Sequence, residues 1–302
     1  MKPYNDYNSY LKQKYGCKVY RIGIDAGFTC PNRDGSKGSG GCIYCNAGGS
    51  RASYADPEKT VSRQLARRVD YLKKTKKADK FIAYFQAFTN TYAPIDKLKA
   101  VYDEVLPFKE VVGISIGTRP DAVDESKLAL IASYKKNYEV GIEYGLQSMH
   151  NETLRKINRG HTYEDFLEAL ALTGKFNIPV CVHVILGLPN ETRSDIIETA
   201  KALSSLKVEA VKIHSLHVLK GSPLERSHKE GGIQLLSQEE YAEMACDFLE
   251  HLSENIIIQR LTGQGNREDH AAPAWAMDKS STIKKIEDIL AARGSRQGSK
   301  AH

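Results

Sequence analysis

The sequence predicts an α/β fold, a partial, TIM-like (β/α)6 barrel, and two observations favour it. Six strand-like apolar segments alternate with helix-like segments along the 302 residues, a pattern typical of successive βαβ units around a parallel sheet. Polar or glycine-rich loops follow these strands, at the end where such barrels carry their chemistry. We expect the barrel and an N-terminal extension over residues 1–262, and a C-terminal loop, helix and disordered tail over residues 263–302.

The predicted strands are short, apolar and rich in β-branched residues. In order, they span Val19–Ile24, Phe81–Gln86, Val111–Ile116, Tyr138–Gln147, Val180–Leu186 and Ala210–Leu219. A short apolar run, Ile256–Leu261, follows them.

Capping residues mark the helices between the strands. Asp56 followed by Pro57 predicts the start of a helix that runs to about Lys77. Two capping boxes predict the starts of later helices, Thr192 with Asp195 and Ser237 with Glu240. A last helix is expected before the tail, which begins at about Gly294.

The composition is that of an ordinary soluble globular protein, with 41% hydrophobic and 26% charged residues. The longest apolar run, around Val180–Leu188, is too short to span a bilayer. Residues 1–16 lack the apolar core of a signal peptide. We therefore expect a cytoplasmic protein, in which six cysteines serve as thiols or metal ligands instead of forming disulfides.

Positive charge is concentrated in the segment Glu58–Lys80, which holds nine basic and three acidic residues. Its net charge of +6 equals that of the whole chain. Such a segment could attract the phosphates of RNA. A solvated helix face would have the same composition, so both interpretations stay open.

Three cysteines lie together in a glycine-rich loop after the first strand. Eleven residues separate Cys30 from Cys42, and two separate Cys42 from Cys45. Thiolates suit zinc, copper(I) and iron–sulfur clusters, so the loop predicts a metal centre. Cys17 would lie ~25 Å away across the intervening strand, which leaves three ligands where a closed site needs four. A zinc site lacking one ligand and three inert buried thiols are the alternatives.

The loop resembles the cluster-binding segment of radical S-adenosylmethionine (SAM) enzymes, commonly C-x3-C-x-aromatic-C, with Tyr44 in the aromatic place. The longer first spacing departs from that form and is similar to the branch typified by bacterial YhcC and YtqA proteins, which is related to the radical SAM half of the elongator catalytic subunit. This resemblance implies that Cys30, Cys42 and Cys45 hold a [4Fe-4S] cluster whose open iron binds SAM. It also implies that the barrel is the radical SAM core.

The segment Ile142–Thr162 resembles the E-x-G-x-Q-S segment of the elongator and coproporphyrinogen-oxidase-like branches. By this resemblance Glu143 and Gln147, at the end of the fourth strand, face SAM, and Glu143 accepts hydrogen bonds from the ribose. Arg159 would pair with the SAM carboxylate. The alternatives are a Glu143 carboxylate salt-bridged within the barrel and a surface arginine at a helix end.

Two further loops occupy SAM-binding positions by the same resemblance. The loop after the second strand lacks the family's Gly-Gly-Glu-like motif, so Gln86, Thr89, Asn90 or backbone carbonyls would accept from the SAM amino group. After the fifth strand, Gly187 and Pro189 would let the backbone approach the adenine. A simple strand-to-helix turn explains these last two residues equally well.

The remaining histidines and cysteines carry weaker predictions. His183, His214 and His217 lie on predicted strands and could project into the barrel. Hydrogen-bonded core histidines are the commoner case, and a substrate role stays open. Cys181 and Cys246 have apolar neighbours in the sequence and are expected to be packed thiols.

The resemblance implies an enzyme that takes an electron from a flavodoxin- or ferredoxin-like donor and cleaves SAM to methionine and a 5′-deoxyadenosyl radical. Relatives in the elongator branch modify the wobble uridine of tRNA, and the YtqA branch is associated with converting 5-carboxymethylaminomethyluridine to 5-aminomethyluridine. tRNA is therefore the expected partner. The alternatives are a radical SAM oxidoreductase acting on a small molecule or protein, and a non-catalytic, zinc-stabilised RNA-binding protein.

Overall fold

A computed structural model of the chain describes residues 2–263 and 267–301. Its strands are β1 (Val19–Ile24), β2 (Lys80–Phe85), β3 (Val111–Thr118), β4 (Glu139–Gln147), β5 (Val180–Leu186), β6 (Ala210–Ser215), β7 (Val218–Leu219), β8 (Ile257–Arg260) and β9 (His270–Ala272). Its α-helices are α1 (Tyr7–Tyr15), α2 (Val61–Lys76), α3 (Ile95–Asp103), α4 (Glu125–Ser133), α5 (Asn151–Lys156), α6 (Tyr163–Lys175), α7 (Arg193–Ser205), α8 (Pro223–Lys229), α9 (Gln238–His251) and α10 (Lys279–Ala292).

Seven parallel strands form one sheet in the order β1-β2-β3-β4-β5-β6-β8. Neighbours in the chain are neighbours in the sheet, as expected when each helix crosses over from one strand to the next. The sheet curls so that its two edge strands approach each other. A side-chain hydrogen bond spans the gap between them, from Arg21 Nη1 on β1 to Gln259 Oε1 on β8 at 2.5 Å. This open barrel confirms the predicted fold, with β8 as a seventh strand at the predicted short apolar run.

The two faces of the sheet differ in composition. Along β4 the side chains of Val140, Ile142, Tyr144 and Leu146 are buried in the main apolar core, which lies between the sheet and the helices. The alternate positions of β4 face inward and hold glycine and polar residues. A parallel strand that is buried on both faces has a nearly continuous run of apolar residues in its sequence. The alternation here shows that the inner face borders a polar cavity.

The helix starts test the predicted capping signals. Thr192 and Ser237 each form the predicted capping box, at the starts of α7 and α9. The start predicted at Asp56 was wrong, because α2 begins at Val61 with Thr60 as its N-cap. Asp56 instead accepts from the Glu58 backbone N–H, which closes a turn before the helix.

The C-terminal part packs on the barrel. Ile286 and Leu290 of α10 are buried in the same core as the barrel strands. The tail from Gly294, expected to be disordered, is held in place: Gln297 is 2% exposed and donates to the backbone oxygens of Ser253 and Ile256. The predicted loop after residue 263 includes residues 264–266, which lie outside the described residues.

The strand predicted to run through Ala210–Leu219 is broken. β6 ends at Ser215, and β7 pairs with β9 in a separate two-stranded antiparallel sheet. Within residues 2–263 and 267–301, none of the helices has the length and apolar composition needed to cross a membrane.

Candidate active site

A cavity of about 560 Å³ opens at the carboxyl ends of the strands, a volume within the range of small-molecule sites. Nine of the twelve residues predicted to bind the cluster or SAM line it: Cys30, Cys42, Tyr44, Cys45, Gln86, Thr89, Glu143, Gln147 and Arg159. Asn90, Gly187 and Pro189 are not among its lining residues. The cysteine loop and the strand-end loops therefore meet at one site.

The cysteine loop is fastened to the turn that follows α5. The Ile43 backbone N–H donates to the oxygen of Ile157 at 3.0 Å, and the Asn158 amide donates to the oxygen of Gly41 at 2.8 Å. Tyr44 packs with Ile43 against a smaller apolar cluster beside the barrel. The loop thus has a defined conformation that brings three cysteines to the cavity wall.

Hydrogen-bond donors surround the buried sulfur of Cys42. Asn32 Nδ2 lies 3.7 Å and Arg159 Nη1 lies 3.5 Å from Cys42 Sγ. Burial alone would raise the pKa of the Cys42 thiol, but Arg159 and the Tyr44 hydroxyl outweigh it, and the pKa lies below its ordinary value. At Cys45 burial prevails over the nearby Arg33, and the pKa is raised.

The spacing of the sulfurs bears on which metal the loop could hold. A tetrahedral zinc ion with Zn–S bonds of ~2.3 Å keeps its sulfurs about 3.8 Å apart. In the described part of the chain, the groups of three possible ligand atoms that lie within 4.8 Å of one another do not include Cys30, Cys42 or Cys45. Cys17 precedes β1, at the opposite end of the strand from the loop. The three sulfurs as placed are therefore too widely spaced for a single zinc ion, and the guanidinium groups of Arg159 and Arg33 beside them suit an anionic metal centre.

Arg159 is a buried residue of the site, 6% exposed, and does not lie on the surface. Its Nε and Nη2 donate to the Gly145 oxygen at 3.1 and 2.6 Å, while Nη1 faces Cys42. A Cβ on Gly145 would lie 2.8 Å from Arg159 Nη2, so only glycine permits this approach. The cation is fixed beside the cysteine loop, where its predicted pairing with a SAM carboxylate stays a prediction.

Two buried residues support Arg159 and were not predicted. Arg119 Nη1 donates to the Arg159 oxygen at 2.7 Å, and its Nε and Nη2 form a bidentate pair with Asp121. His161 Nε2 lies 3.1 Å from the Gly145 oxygen. Burial, then Arg159 and Arg119, lower the pKa of His161 to about 3, which keeps its ring neutral. The only sequence signal for Arg119 is its place in a loop directly after a strand.

Glu143 lies at the centre of a buried charge network. It is the fifth of the nine residues of β4, so its predicted place at the strand end was wrong. Its Oε1 accepts from Arg21 and from Ser115 Oγ (2.6 Å), and its Oε2 accepts from Lys212 and lies 2.8 Å from His183 Nε2. At 1% exposure, this carboxylate has the contacts of the salt-bridged alternative. Its ribose role stays a prediction.

The network and its burial shift the pKa values of the side chains that belong to it. Burial would raise the pKa of Glu143, but Arg21 and Lys212 outweigh it and hold the pKa well below its usual range. Burial and Arg21 lower the pKa of Lys212 to about 7 despite its pairing with Glu143. Burial lowers the pKa of His183 to about 4, so this imidazole is neutral. The inner face therefore combines an ionised carboxylate, cations and neutral imidazoles.

Gln147, Gln86 and Thr89 line the cavity as predicted, although their SAM contacts stay predictions. Gln147 ends β4 with a left-handed φ of 78°, at an irregularity in its pairing with β5. Gln86 Nε2 donates to the Ser50 oxygen at 2.8 Å, which leaves its carbonyl oxygen as an acceptor beside Gly23.

Three predicted SAM-binding residues lie away from the cavity. The Asn90 amide donates to three buried backbone oxygens, those of Phe85, Ala87 and Gly117, so its side chain holds the loop together. Gly187 has a φ of 85° and lies under Leu236, whose Cδ1 would be 2.8 Å from an added Cβ. Pro189 belongs to the same turn. Neither residue is among those that line the cavity, and their predicted approach to the adenine stays a prediction.

Comparison with known proteins is consistent with this geometry. The protein-family model for the radical SAM superfamily matches residues 30–203. The model of the radical SAM C-terminal domain matches residues 208–292, which crosses the boundary predicted between residues 262 and 263.

Relatives of similar length match along nearly the whole chain. An uncharacterized protein of Methanocaldococcus jannaschii is 42% identical, covering 97% of this chain and 91% of its own. The uncharacterized protein YtqA of Bacillus subtilis is 39% identical, covering 98% and 92%. YhcC of Escherichia coli is 33% identical, covering 96% and 93%.

Solved structures share the fold at low sequence identity. The archaeal Elp3 of Methanocaldococcus infernus, lacking its N-terminus, superposes with a TM-score of 0.67 at 19% identity. The match covers 92% of this chain but 64% of the Elp3 chain. Methylornithine synthase matches with a TM-score of 0.52 at 13% identity, over 95% of this chain and 85% of its own.

Proposed function

Because the chain belongs to the radical SAM superfamily, we propose that Cys30, Cys42 and Cys45 hold a [4Fe-4S] cluster and that the enzyme modifies the wobble uridine of tRNA. The observation that carries the cluster assignment is the set of donors around Cys42, where Arg159 and Asn32 face the buried sulfur. When bound at these residues, the cluster and SAM would supply the radical chemistry that removes hydrogen from the substrate. The electron comes from a flavodoxin- or ferredoxin-like donor in the cytoplasm.

Residues of the chain would orient the cluster and SAM and balance their charges. Arg159, locked by Gly145 and Arg119, provides a cation beside the cysteine loop for the SAM carboxylate. Gln86 and Thr89 line the cavity and would accept from the SAM amino group, and Gln147 would face SAM beside them. These groups need no rearrangement to receive charge, which is the condition for electrostatic preorganisation.

Iron content tests the cluster assignment. Protein purified without oxygen is expected to be brown, and Cys42→Ala to lose its iron and its visible absorption. The matched control is Cys17→Ala, because Cys17 lies at the far end of β1 and should keep the iron. A colourless wild-type protein that holds zinc, or equal iron loss in both variants, would refute the assignment.

A basic surface supports the tRNA assignment. On α2 and at its C-cap, four exposed basic side chains have no ion pair with any described residue: Arg63, Arg67, Lys76 and Lys77. Such cations contact phosphates and release counterions.

The same helix contacts a residue that lines the cavity. The guanidinium carbon of Arg68 lies 4.1 Å from the ring centroid of Tyr54 and 4.7 Å from that of Tyr71. Both rings are among the exposed large hydrophobic side chains of the described residues, and Tyr54 also lines the cavity. Aromatic and guanidinium faces are platforms on which bases stack. The arrangement would guide a splayed nucleotide from the basic surface into the cavity.

The proposed substrate is 5-carboxymethylaminomethyluridine, which the enzyme would convert to 5-aminomethyluridine. This choice rests on the resemblance to the YtqA branch. The test is nucleoside mass spectrometry of total tRNA from a strain that lacks the protein and any redundant route. The carboxymethyl form should accumulate and its aminomethyl products fall, with rescue by wild type but not by Cys42→Ala. An unchanged nucleoside profile would indicate that the substrate is a small molecule or a protein instead of tRNA.

A further inference from the structure

The inner face of the barrel carries more cations than anions. In the strand register, Lys212 on β6 lies opposite His183 on β5 and Arg260 on β8, so the three side chains share a face. Arg21 joins them from β1. Of these cations, Arg21 and Lys212 form ion pairs with Glu143, whereas Arg260 does not. Because the pKa of Lys212 is about 7, Arg21 and Arg260 are the permanent cations, and they exceed the charge of Glu143 by one.

Two polar groups of this face have no partner among the described residues. Arg260 is half-buried and lines the cavity, and its guanidinium has no hydrogen bond or ion pair with any of these residues. His214 lines the cavity too, and its Nε2 is buried without a hydrogen-bond partner among them. Buried polar groups are almost always satisfied, so the unpartnered His214 Nε2, in the same cavity as an open guanidinium, points to a ligand. A ligand that accepts from both groups is an anion or a neutral acceptor.

Resting on the proposed tRNA function, we propose that Arg260 and His214 form a carboxylate-binding subsite, which receives the carboxymethyl group of the modified uridine. The planar guanidinium matches a carboxylate in bidentate geometry. A neutral imidazole N–H can donate a further hydrogen bond. The substrate carboxylate would also offset the excess positive charge on the inner face.

The SAM carboxylate is a second possible source of the anion, but its predicted partner lies elsewhere. Arg159 is held against the Gly145 oxygen on β4 and faces Cys42. Arg260 lies on β8, three strands from β4 in the sheet order, or about 14 Å along the sheet. The charged groups that act on Arg260 include Arg21 and Glu143, with no residue of the cysteine loop among the principal ones.

Binding without turnover tests the subsite. The probes are the nucleosides 5-carboxymethylaminomethyluridine, its carboxamide and 5-aminomethyluridine, titrated calorimetrically into the full, cluster-loaded protein without reductant. Wild type should bind the acid more tightly than the amide, and Arg260→Gln should lose about tenfold to hundredfold in affinity for the acid alone. Arg260→Lys, which keeps the charge without the bidentate geometry, should lie between. Arg155→Gln, an exposed arginine on α5, is the matched control.

Three outcomes decide the proposal. Equal wild-type affinity for acid and amide would overturn the subsite while leaving the tRNA function intact. Weakened SAM binding in Arg260→Gln would assign the carboxylate to SAM and overturn the proposal as well. N-methylglycine carries the same carboxymethylamino group without the nucleoside. Binding of N-methylglycine that is lost in Arg260→Gln, combined with an unchanged tRNA profile, would keep the carboxylate subsite and overturn the tRNA substrate.

Misfolding cannot mimic the expected result. Arg260→Gln removes a half-buried cation that has no ion pair with any described residue, so its urea midpoint should equal or exceed that of wild type. A structural arginine would show the opposite change. Loss of acid binding together with a lowered midpoint would therefore count against the subsite.

Discussion

Glu143 joins side chains from four other strands at one carboxylate. Arg21, Ser115, His183 and Lys212 come from β1, β3, β5 and β6 and all contact its two oxygens. Because the barrel is not closed by backbone hydrogen bonds between β1 and β8, these side chains link its inner face across the sheet. The removal of one member of a buried ion pair leaves an uncompensated charge, which costs about 3–5 kcal/mol.

Glu143→Gln is therefore expected to lower the free energy of unfolding by about 3–5 kcal/mol, because Arg21 and Lys212 lose their counter-charge. Urea denaturation monitored by circular dichroism measures this change. Glu152→Gln, on the exposed face of α5, should stay within about 0.5 kcal/mol of wild type. A variant of unchanged stability whose affinity for SAM falls at least tenfold would support the ribose role instead.

At the residue scale, the sequence predicted which residues carry the chemistry better than it predicted which side chains contact one another. Cys30, Cys42 and Cys45 were recognisable because their spacing and residue type are local features, and the structure does bring them to one cavity. The partners of Glu143 lie 122 and 69 positions away, at Arg21 and Lys212. Which side chains meet across an inner face depends on strand register, which no local pattern encodes.

At the scale of elements, α2 combines a buried apolar face with an exposed basic one. Its apolar side chains, such as Leu65 and Val69, pack in the main core. Its exposed cations are of two kinds. Lys73 and Lys74 are paired with Glu110 and Asp70, whereas Arg63 and Arg67 have no ion pair with any described residue. The paired ammonium groups are already partly neutralised, so the two kinds should differ in their effect on RNA.

The double substitution Arg63→Gln, Arg67→Gln should weaken tRNA binding and reduce the slope of log K against log salt by about 1.4–1.8, or 0.7–0.9 for each phosphate that is no longer neutralised. Fluorescence anisotropy with an anticodon stem-loop at several salt concentrations measures this slope. SAM cleavage in the absence of tRNA and iron content should not change.

The matched control for this prediction lies on the same helix. Lys73→Gln with Lys74→Gln removes the same formal charge, but from groups already paired with carboxylates, and should reduce the slope less. Equal slopes for the two double variants would show that α2 attracts tRNA only through its overall charge. A slope that neither variant changes would exclude α2 from the interface.

Helix starts show where local signals suffice for an element. The capping boxes at Thr192 and Ser237 specify reciprocal hydrogen bonds within four residues, and both formed. Asp56 with Pro57 has an equally good local signature, but Asp56 closes a turn and Thr60 caps α2. An N-cap aspartate and a turn aspartate accept from backbone N–H groups in the same way, so tertiary packing decides between them.

At the scale of the whole molecule, both chain ends brace the strand that carries Arg260. The Ile258 backbone N–H on β8 donates to the Asn5 oxygen at 2.7 Å. The Gln297 side chain accepts from the Asn5 N–H at 2.9 Å and donates to the oxygens of Ser253 and Ile256, just before β8. The alternation of strands and helices made the barrel predictable. It gave no sign of these end contacts, because the tail has the small, polar composition of disordered segments.

Gln297→Ala should accordingly lower the free energy of unfolding by about 1.5–4.5 kcal/mol, since it removes three hydrogen bonds of about 0.5–1.5 kcal/mol each. Removal of residues 294–302 should lower it at least as much and should also reduce the preference for the carboxylate probe over its amide, because β8 loses its support beside the cavity. Urea denaturation and the same calorimetric titration measure the two effects. Ser299→Ala, an exposed neighbour in the tail, is the control. A truncated chain that unfolds at the wild-type urea concentration would show that the tail rests on the barrel without stabilising it, and β8 would then owe its position to the sheet and to Asn5 alone.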